Sequence, residues 1–125
     1  MRTRMSTYLS QLPAALRNVI KTVNKRTSAG NQSSSIQTTQ DKLFLLSEIE
    51  IFGATTYSFA GEGTQYEYYA AGNTTIKKVN GSAHDWWGRS PYSDDTYRFC
   101  VVDNSGGANF GSASDSIGVS FGFCV

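Results

Sequence analysis

Residues 85–125, DWWGRSPYSDDTYRFCVVDNSGGANFGSASDSIGVSFGFCV, decide how this chain is read. They contain both tryptophans and both cysteines of the protein, with a dense run of glycines and serines. Trp86, Trp87, Phe99, Val101, Val119, Phe121 and Phe123 supply core material in short apolar runs of strand length. Between them, residues 92–96, 103–109 and 111–116 are rich in the Ser, Asp, Asn and Gly that turns select. The pattern predicts a rigid β-scaffold that displays loops.

The composition of this stretch is lopsided. Residues 1–87 hold eighteen Lys, Glu, Gln, Met and Trp, whereas residues 88–125 hold none, where the same rate would give about eight. Turn chemistry accounts for a bias toward Ser, Gly, Asn and Asp. A sharper account is that the five missing types are those no codon ending in C encodes, so a segment diversified by rewriting AAC asparagine codons would be confined to the remainder. Both accounts stay open on the sequence.

A chain of 125 residues suits one small domain with a single core, plus an appendage. A net charge of +1 and a pI near 7.7 give no field that selects nucleic acid, so no nucleic-acid partner is expected. No apolar run approaches the ~18 residues of a membrane span, so no membrane insertion is expected. The opening MRTRMSTYLSQLPAAL is interrupted by Ser6, Thr7, Ser10 and Gln11 and does not read as a signal peptide. Cys100 and Cys124 each sit in Phe-Cys-Val, at 99–101 and 123–125, which places both on neighbouring strands as free thiols or as one disulfide. No Cys/His spacing fits zinc, and the DNSGG at 103–107 lacks the later glutamate of a calcium loop. No metal and no cofactor are therefore expected, and Asp94, Asp95, Asp103 and Asp115 read by default as turn formers. His84, the only histidine, has no nucleophile placed beside it by any motif.

Upstream, residues 6–26 read as an amphipathic helix, with Leu12, Leu16, Val19, Ile20 and Val23 at helical spacing and Pro13 near its first turn. It either packs on its own domain or serves as a stalk or self-association element. Residues 27–41, TSAGNQSSSIQTTQD, read as a polar linker or surface arm, which makes residues 42–125 the globular ligand-binding domain. KLFLL at 42–46 has strand length. Ser47 and Glu50 have capping-box spacing before a short helix stopped by Gly53. Residues 61–72, GEGTQYEYYAAG, predict a second short helix with Thr64 as its cap and Gly72 as terminator. Residues 74–79 predict an edge strand with its lysines facing water, followed by a turn at Asn80-Gly81.

KLFLLSEIEIFG (42–53), GEGTQYEYYAAG (61–72), WWGRSP (86–91), FCVV (99–102) and GVSFGFCV (118–125) together resemble DUF6273, a domain found in phage tail proteins and bacterial surface proteins. The likeness covers about residues 41–125. Its most specific pieces are the Trp-Trp-x-Arg-Ser-Pro string and the terminal Gly-Val-x-x-x-Phe-Cys string. The organisation also resembles the C-type-lectin-like fold of formylglycine-generating enzymes and of the variable proteins of diversity-generating retroelements. Gly88 stands where the family often has Leu, and Ser120-Phe121 replaces a pair ending in Pro.

The resemblance implies an α+β fold: a small C-type-lectin-like (formylglycine-generating-enzyme-like) domain with short helices and a twisted antiparallel sheet, preceded by the N-terminal amphipathic helix. Trp86, Trp87, Arg89, Pro91, Phe99, Val119 and Phe123 would form its frame. Tyr92, Ser93, Asp94, Asp95, Thr96, Tyr97, Asp103, Asn104, Ser105, Asn109, Phe110, Ser112, Asp115 and Ser116 would form a single ligand-binding face, with the aromatic and small polar palette of antibody paratopes. The expected function is that of a non-enzymatic binding module with no catalytic residues, a hypervariable adhesin at a phage tail tip or fibre. Its partners would be a host cell-surface receptor, protein or glycan, and other virion tail proteins. It would form a homo-oligomer, with a trimer among the options, on the virion or an extracellular surface. The alternatives are a structural virion domain, such as a tail collar or decoration, and a glycan-acting enzyme, which would need two opposed carboxylates in a cleft.

Overall fold

A computed structural model describes residues 4–125. It is a small α+β structure of short helices and antiparallel sheets, in the order α1 (Met5–Ser10), α2 (Ala14–Arg17), β1 (Val23–Gly30), β2 (Ser33–Asp41), β3 (Phe44–Leu45), α3 (Glu48–Phe52), α4 (Glu67–Ala70), β4 (Lys77–Val79), β5 (Ser82–His84), β6 (Trp86–Pro91), β7 (Arg98–Val102), β8 (Ala108–Ser112) and β9 (Phe121–Gly122). β6, β7 and β8 form the central sheet, while β1–β2, β3–β9 and β4–β5 are two-stranded pairs.

The adjacent tryptophans organise the centre. Successive strand residues face opposite sides, and directly paired residues share a side. Trp86 pairs with Val102 and Trp87 with Val101, so each face of β6–β7 carries its own core. On one face Trp87 and Val101 pack with Met5, Ile20, Leu43 and Leu45; on the other, Trp86 and Val102 pack with Ile51. The indole N–H of Trp86 donates to the Thr75 carbonyl at 3.0 Å.

The N-terminal third departs from the sequence reading. Residues 6–26 are not one helix, because Pro13 has no N–H to give and disfavours helical backbone at Leu12. α1 ends at Ser10, Pro13 caps α2, and the chain is extended from Val23 onward. Tyr8, Leu9, Leu12 and Leu16 pack against the Trp87 core, so this segment covers its own domain. Residues 27–41 are not a linker either. They complete a long hairpin whose two-residue turn puts Asn31 and Gln32 at positive φ (52° and 60°), the backbone that matches strand twist. Along β1, Val23, Lys25 and Thr27 turn inward and Asn24 and Arg26 outward, a strand alternation hidden by the charge on Lys25.

Other expectations met mixed outcomes. Ser47 accepts from the Glu50 amide and Gly53 ends α3 at φ 69°, but the Glu50 carboxylate leaves the cap for the interior. α4 starts at Glu67 with no side-chain cap, so Thr64 is not its cap. Asn80-Gly81 turns β4 into β5. Phe99, Val119 and Phe123, expected in the frame, are each more than a third exposed, and Phe121 packs on the Trp87 core in their place. Cys100 is buried on β7, Cys124 is exposed and bridged to Lys21, and both are free thiols. Gly88 is buried, and a Cβ there would lie 3.1 Å from the carbonyl oxygens of both Cys100 and Leu46.

Those two oxygens belong to backbone and cannot swing aside, so Gly88 is no display position. Gly88→Leu is expected to lower stability by ~1–3 kcal/mol, the usual cost of overpacking, as measured by urea unfolding. Wild-type stability in that variant would contradict the tight fit.

Candidate functional site

The loop between β6 and β7 is held from several sides. Asp95 Oδ1 accepts from the amides of Tyr97 (3.2 Å) and Arg98 (3.0 Å), and Asp95 also pairs with the Arg98 guanidinium. The Tyr92 amide donates to the Arg98 carbonyl and the Ser93 amide to the Tyr57 carbonyl. Gln32, at the tip of the β1–β2 hairpin, donates to the Asp94 carbonyl at 3.0 Å. The segment after β8 lies at the same end of the sheet: Ala113 donates to the Tyr97 carbonyl, and Asp115 accepts from the Ser112 amide.

This end carries an aromatic surface. The rings of Tyr92 and Phe110 stack at 4.4 Å, Tyr57 meets Phe110 edge-on at 5.2 Å, and the Arg98 guanidinium lies over both Phe110 and Tyr97. Tyr97, Asp94 and Thr96 project into solvent around it. The Tyr92 hydroxyl bonds to Asp94, and burial together with that carboxylate raises its pKa.

The expected single face is divided. Tyr92, Ser93, Asp94, Asp95, Thr96, Tyr97, Phe110, Ser112 and Asp115 lie toward this end, whereas the chain after Asp115 runs through Ser116 to Gly118, which bridges Trp86 at the other end of β6. Asp103, Asn104 and Ser105 form the β7–β8 turn at the other end of β7, five residues or roughly 13 Å away. Asn109 pairs with Val101, on the side of β8 opposite Phe110. The Asp103 carboxylate is spent within its own turn, accepting from Ser105, Gly107 and Asn109. The Ser105 hydroxyl above all holds its pKa below the ordinary value. Turn formation is thus what Asp95, Asp103 and Asp115 do here.

The sequence reading missed a polar centre beneath this scaffold. Glu48, Glu50 and Glu62 are each no more than 2% exposed. Glu48 accepts from the amides of Tyr57 and Ser58 and from the Ser58 hydroxyl, fixing the loop that presents Tyr57. Glu50 pairs with Lys25 at 3.0 Å and with Arg89. Arg89 also donates to the carbonyls of Arg26, Leu45 and Glu62 and to the Thr27 hydroxyl. The Lys25 ammonium also reaches the Tyr66 hydroxyl and lies 4.3 Å from the Phe44 ring centre. The signal for all this was Lys25 at an inward strand position and Arg89 between buried neighbours, each needing an anion inside.

Burial pushes the Cys100 thiol up, which removes it as a nucleophile. Among the described residues, no group of three or more His, Cys, Asp or Glu is placed to hold a metal, and no helix is long and apolar enough to cross a membrane.

A cleft of about 560 Å³ lies between the hairpin and the Trp87 face. Thr27, Gln37 and Thr39 line it from the hairpin, and Phe44, Trp87 and Phe99 line it from the body.

Fold and site together define a small α+β scaffold with side-chain-braced loops over a buried ionic centre. The chain belongs to the family described as a domain of unknown function, DUF6273, which it matches over residues 5–125. That match takes in the N-terminal helices and the hairpin as well as the part the sequence motifs cover. No curated protein and no solved structure matches the chain.

Glu62 gives the centre a pH signature. Burial raises its pKa above the ordinary 4.5, against the lowering effects of the Ser28 amide, the Ser90 hydroxyl and Arg89. The folded state therefore holds this proton more tightly than the unfolded chain. The stabilisation is full below the unfolded value and is lost as pH rises through the folded one. Glu62→Gln, which keeps an acceptor for Ser28, is expected to raise the melting temperature at neutral pH, with the gain vanishing below pH ~4.5. A gain independent of pH, or none, would count against this assignment.

Proposed function

We propose that the chain is a non-enzymatic receptor-binding module whose ligand surface is the loop end of the central sheet, in a C-type-lectin-like arrangement. The observation that carries this reading is the Tyr92–Phe110 stack with Tyr57 and Arg98 around it, on loops already tied to backbone. Tyrosine and arginine give large contact area with few torsions to freeze, and pre-tied loops lose little entropy on binding. The surface carboxylates support a binding role over hydrolysis, since Asp95 and Asp115 hold turns and Glu48, Glu50 and Glu62 are buried in ion pairs or hydrogen bonds. The bias of residues 88–125 against Lys, Glu, Gln, Met and Trp fits loops diversified around a fixed scaffold.

The natural setting of such a module is a phage tail tip or bacterial surface adhesin facing a receptor on another cell. Carried there as a homo-oligomer, several weak sites would gain avidity of ~10²–10⁴ over one. Asp94, Thr96 and Tyr97 are exposed, so their replacement tests binding with little effect on folding. The triple variant Asp94→Asn, Thr96→Ala, Tyr97→Ser is expected to lose adsorption to host cells with its melting temperature nearly unchanged. Undiminished adsorption would defeat the loop assignment and favour a structural virion domain.

A further inference from the structure

We infer that the cleft between the hairpin and the Trp87 face is a second binding site, and that its ligand is a neutral saccharide. This goes beyond the loop-surface reading and stands without it, since the residues are different.

The cleft, at about 560 Å³, falls within the ~300–1,000 Å³ of small-ligand pockets. Its two walls differ in kind. The hairpin turns Thr27, Gln37 and Thr39 toward it, hydroxyls and an amide where a collapsed core would place aliphatic side chains. The body offers Phe44, Trp87 and Phe99, with the last two ring-on-edge at 6.4 Å. Phe99 is 36% exposed although it lies on the sheet face that carries the larger core. Such a slot suits a ligand with an apolar flank and a polar rim.

Trp87 supplies the second observation. It lines the cleft, and its indole N–H makes no hydrogen bond with any described residue, whereas that of Trp86 is paired; the nitrogen is not among the buried polar atoms left unpartnered, so it is open to solvent. An indole donor with an open approach takes its acceptor from solvent or from a ligand. A ligand oxygen in the cleft would meet it.

The remaining polar groups select the ligand's charge. Of the charged residues on the lining, Arg4 and Asp41 carry opposite charges that leave no net field for an ion, and the donors of Arg89 are spent on Glu50, Arg26, Leu45, Glu62 and Thr27. Because Thr27 Oγ1 accepts from Arg89, its own proton is left to donate. Thr39 donates to Asp41, which leaves its oxygen to accept. The Gln37 amide makes no side-chain bond with the described residues and can do both. A sugar ring has this complement: C–H faces for Phe99, and hydroxyls that each donate and accept.

The test is a titration of the ¹⁵N-labelled protein with a panel of neutral mono- and disaccharides at millimolar concentration, following the two tryptophan indole N–H signals. At least one sugar is expected to shift the Trp87 signal saturably and leave that of Trp86 in place. The double variant Gln37→Ala, Thr39→Val should keep the folded spectrum and bind that sugar at least about tenfold more weakly, ~1.4 kcal/mol. Tyr97→Ser should bind it as the wild type does, which separates this site from the loop surface. The inference is overturned if no sugar moves the Trp87 signal, if the double variant binds equally well, or if an extended apolar peptide moves it and sugars do not.

Discussion

The Arg89 guanidinium is the constraint on which the rest of the structure depends. Its side chain, 11% exposed, lies against the buried Glu50 carboxylate, and its donors reach the chain at Arg26, Thr27, Leu45 and Glu62. These points lie on the hairpin, on β3 and in the loop before α4, none of which adjoins Arg89 in sequence. A buried charge that loses its partner typically costs ~3–5 kcal/mol, so the segments cannot drift apart independently. Lys25, next to Arg26 on β1, adds a second cation to Glu50. A lysine in place of Arg89 could supply the charge but not the planar fork that reaches several acceptors at once.

Around that centre the two tryptophans divide the apolar work. One residue apart on β6, they point to opposite faces and give the sheet a core on each side. A sheet packed on both faces fixes both of its ends, and the loops there are further tied by Asp95, Asp103 and Asp115 to their own backbone amides. Side-chain changes between those ties are expected to cost little stability, whereas core truncations cost ~2–5 kcal/mol. This asymmetry is the physical basis for placing recognition on the loops.

Much of the body was legible in the sequence because its signals are local. The Trp-Trp strand, the Ser47 cap, the Gly53 stop and the Asn80-Gly81 turn each depend on a few neighbouring residues. The hairpin was not legible, since polar Lys25, Thr27 and Thr39 occupy half-buried positions where a strand pattern needs apolar residues. Their reason for facing inward is Glu50, Arg89 and a cleft, all distant in sequence. The exposure of the proposed loop surface was legible in part: Asp94, Thr96 and Tyr97 read as surface and are exposed. Which end of the sheet each loop occupies follows from strand pairing, so Asp103 to Ser105 were grouped with residues they do not approach. Tyr57 was missed because Glu48, nine residues earlier, holds its amide.

Arg89 acts as a clamp between the hairpin and the body. Amide hydrogen exchange of Arg89→Lys against the wild type measures this most directly. Faster exchange confined to β1, β2 and residues 61–63, with β7 and β8 as protected as before, is the result the clamp requires. Unchanged protection of the hairpin, or an equal loss across every strand, would contradict it.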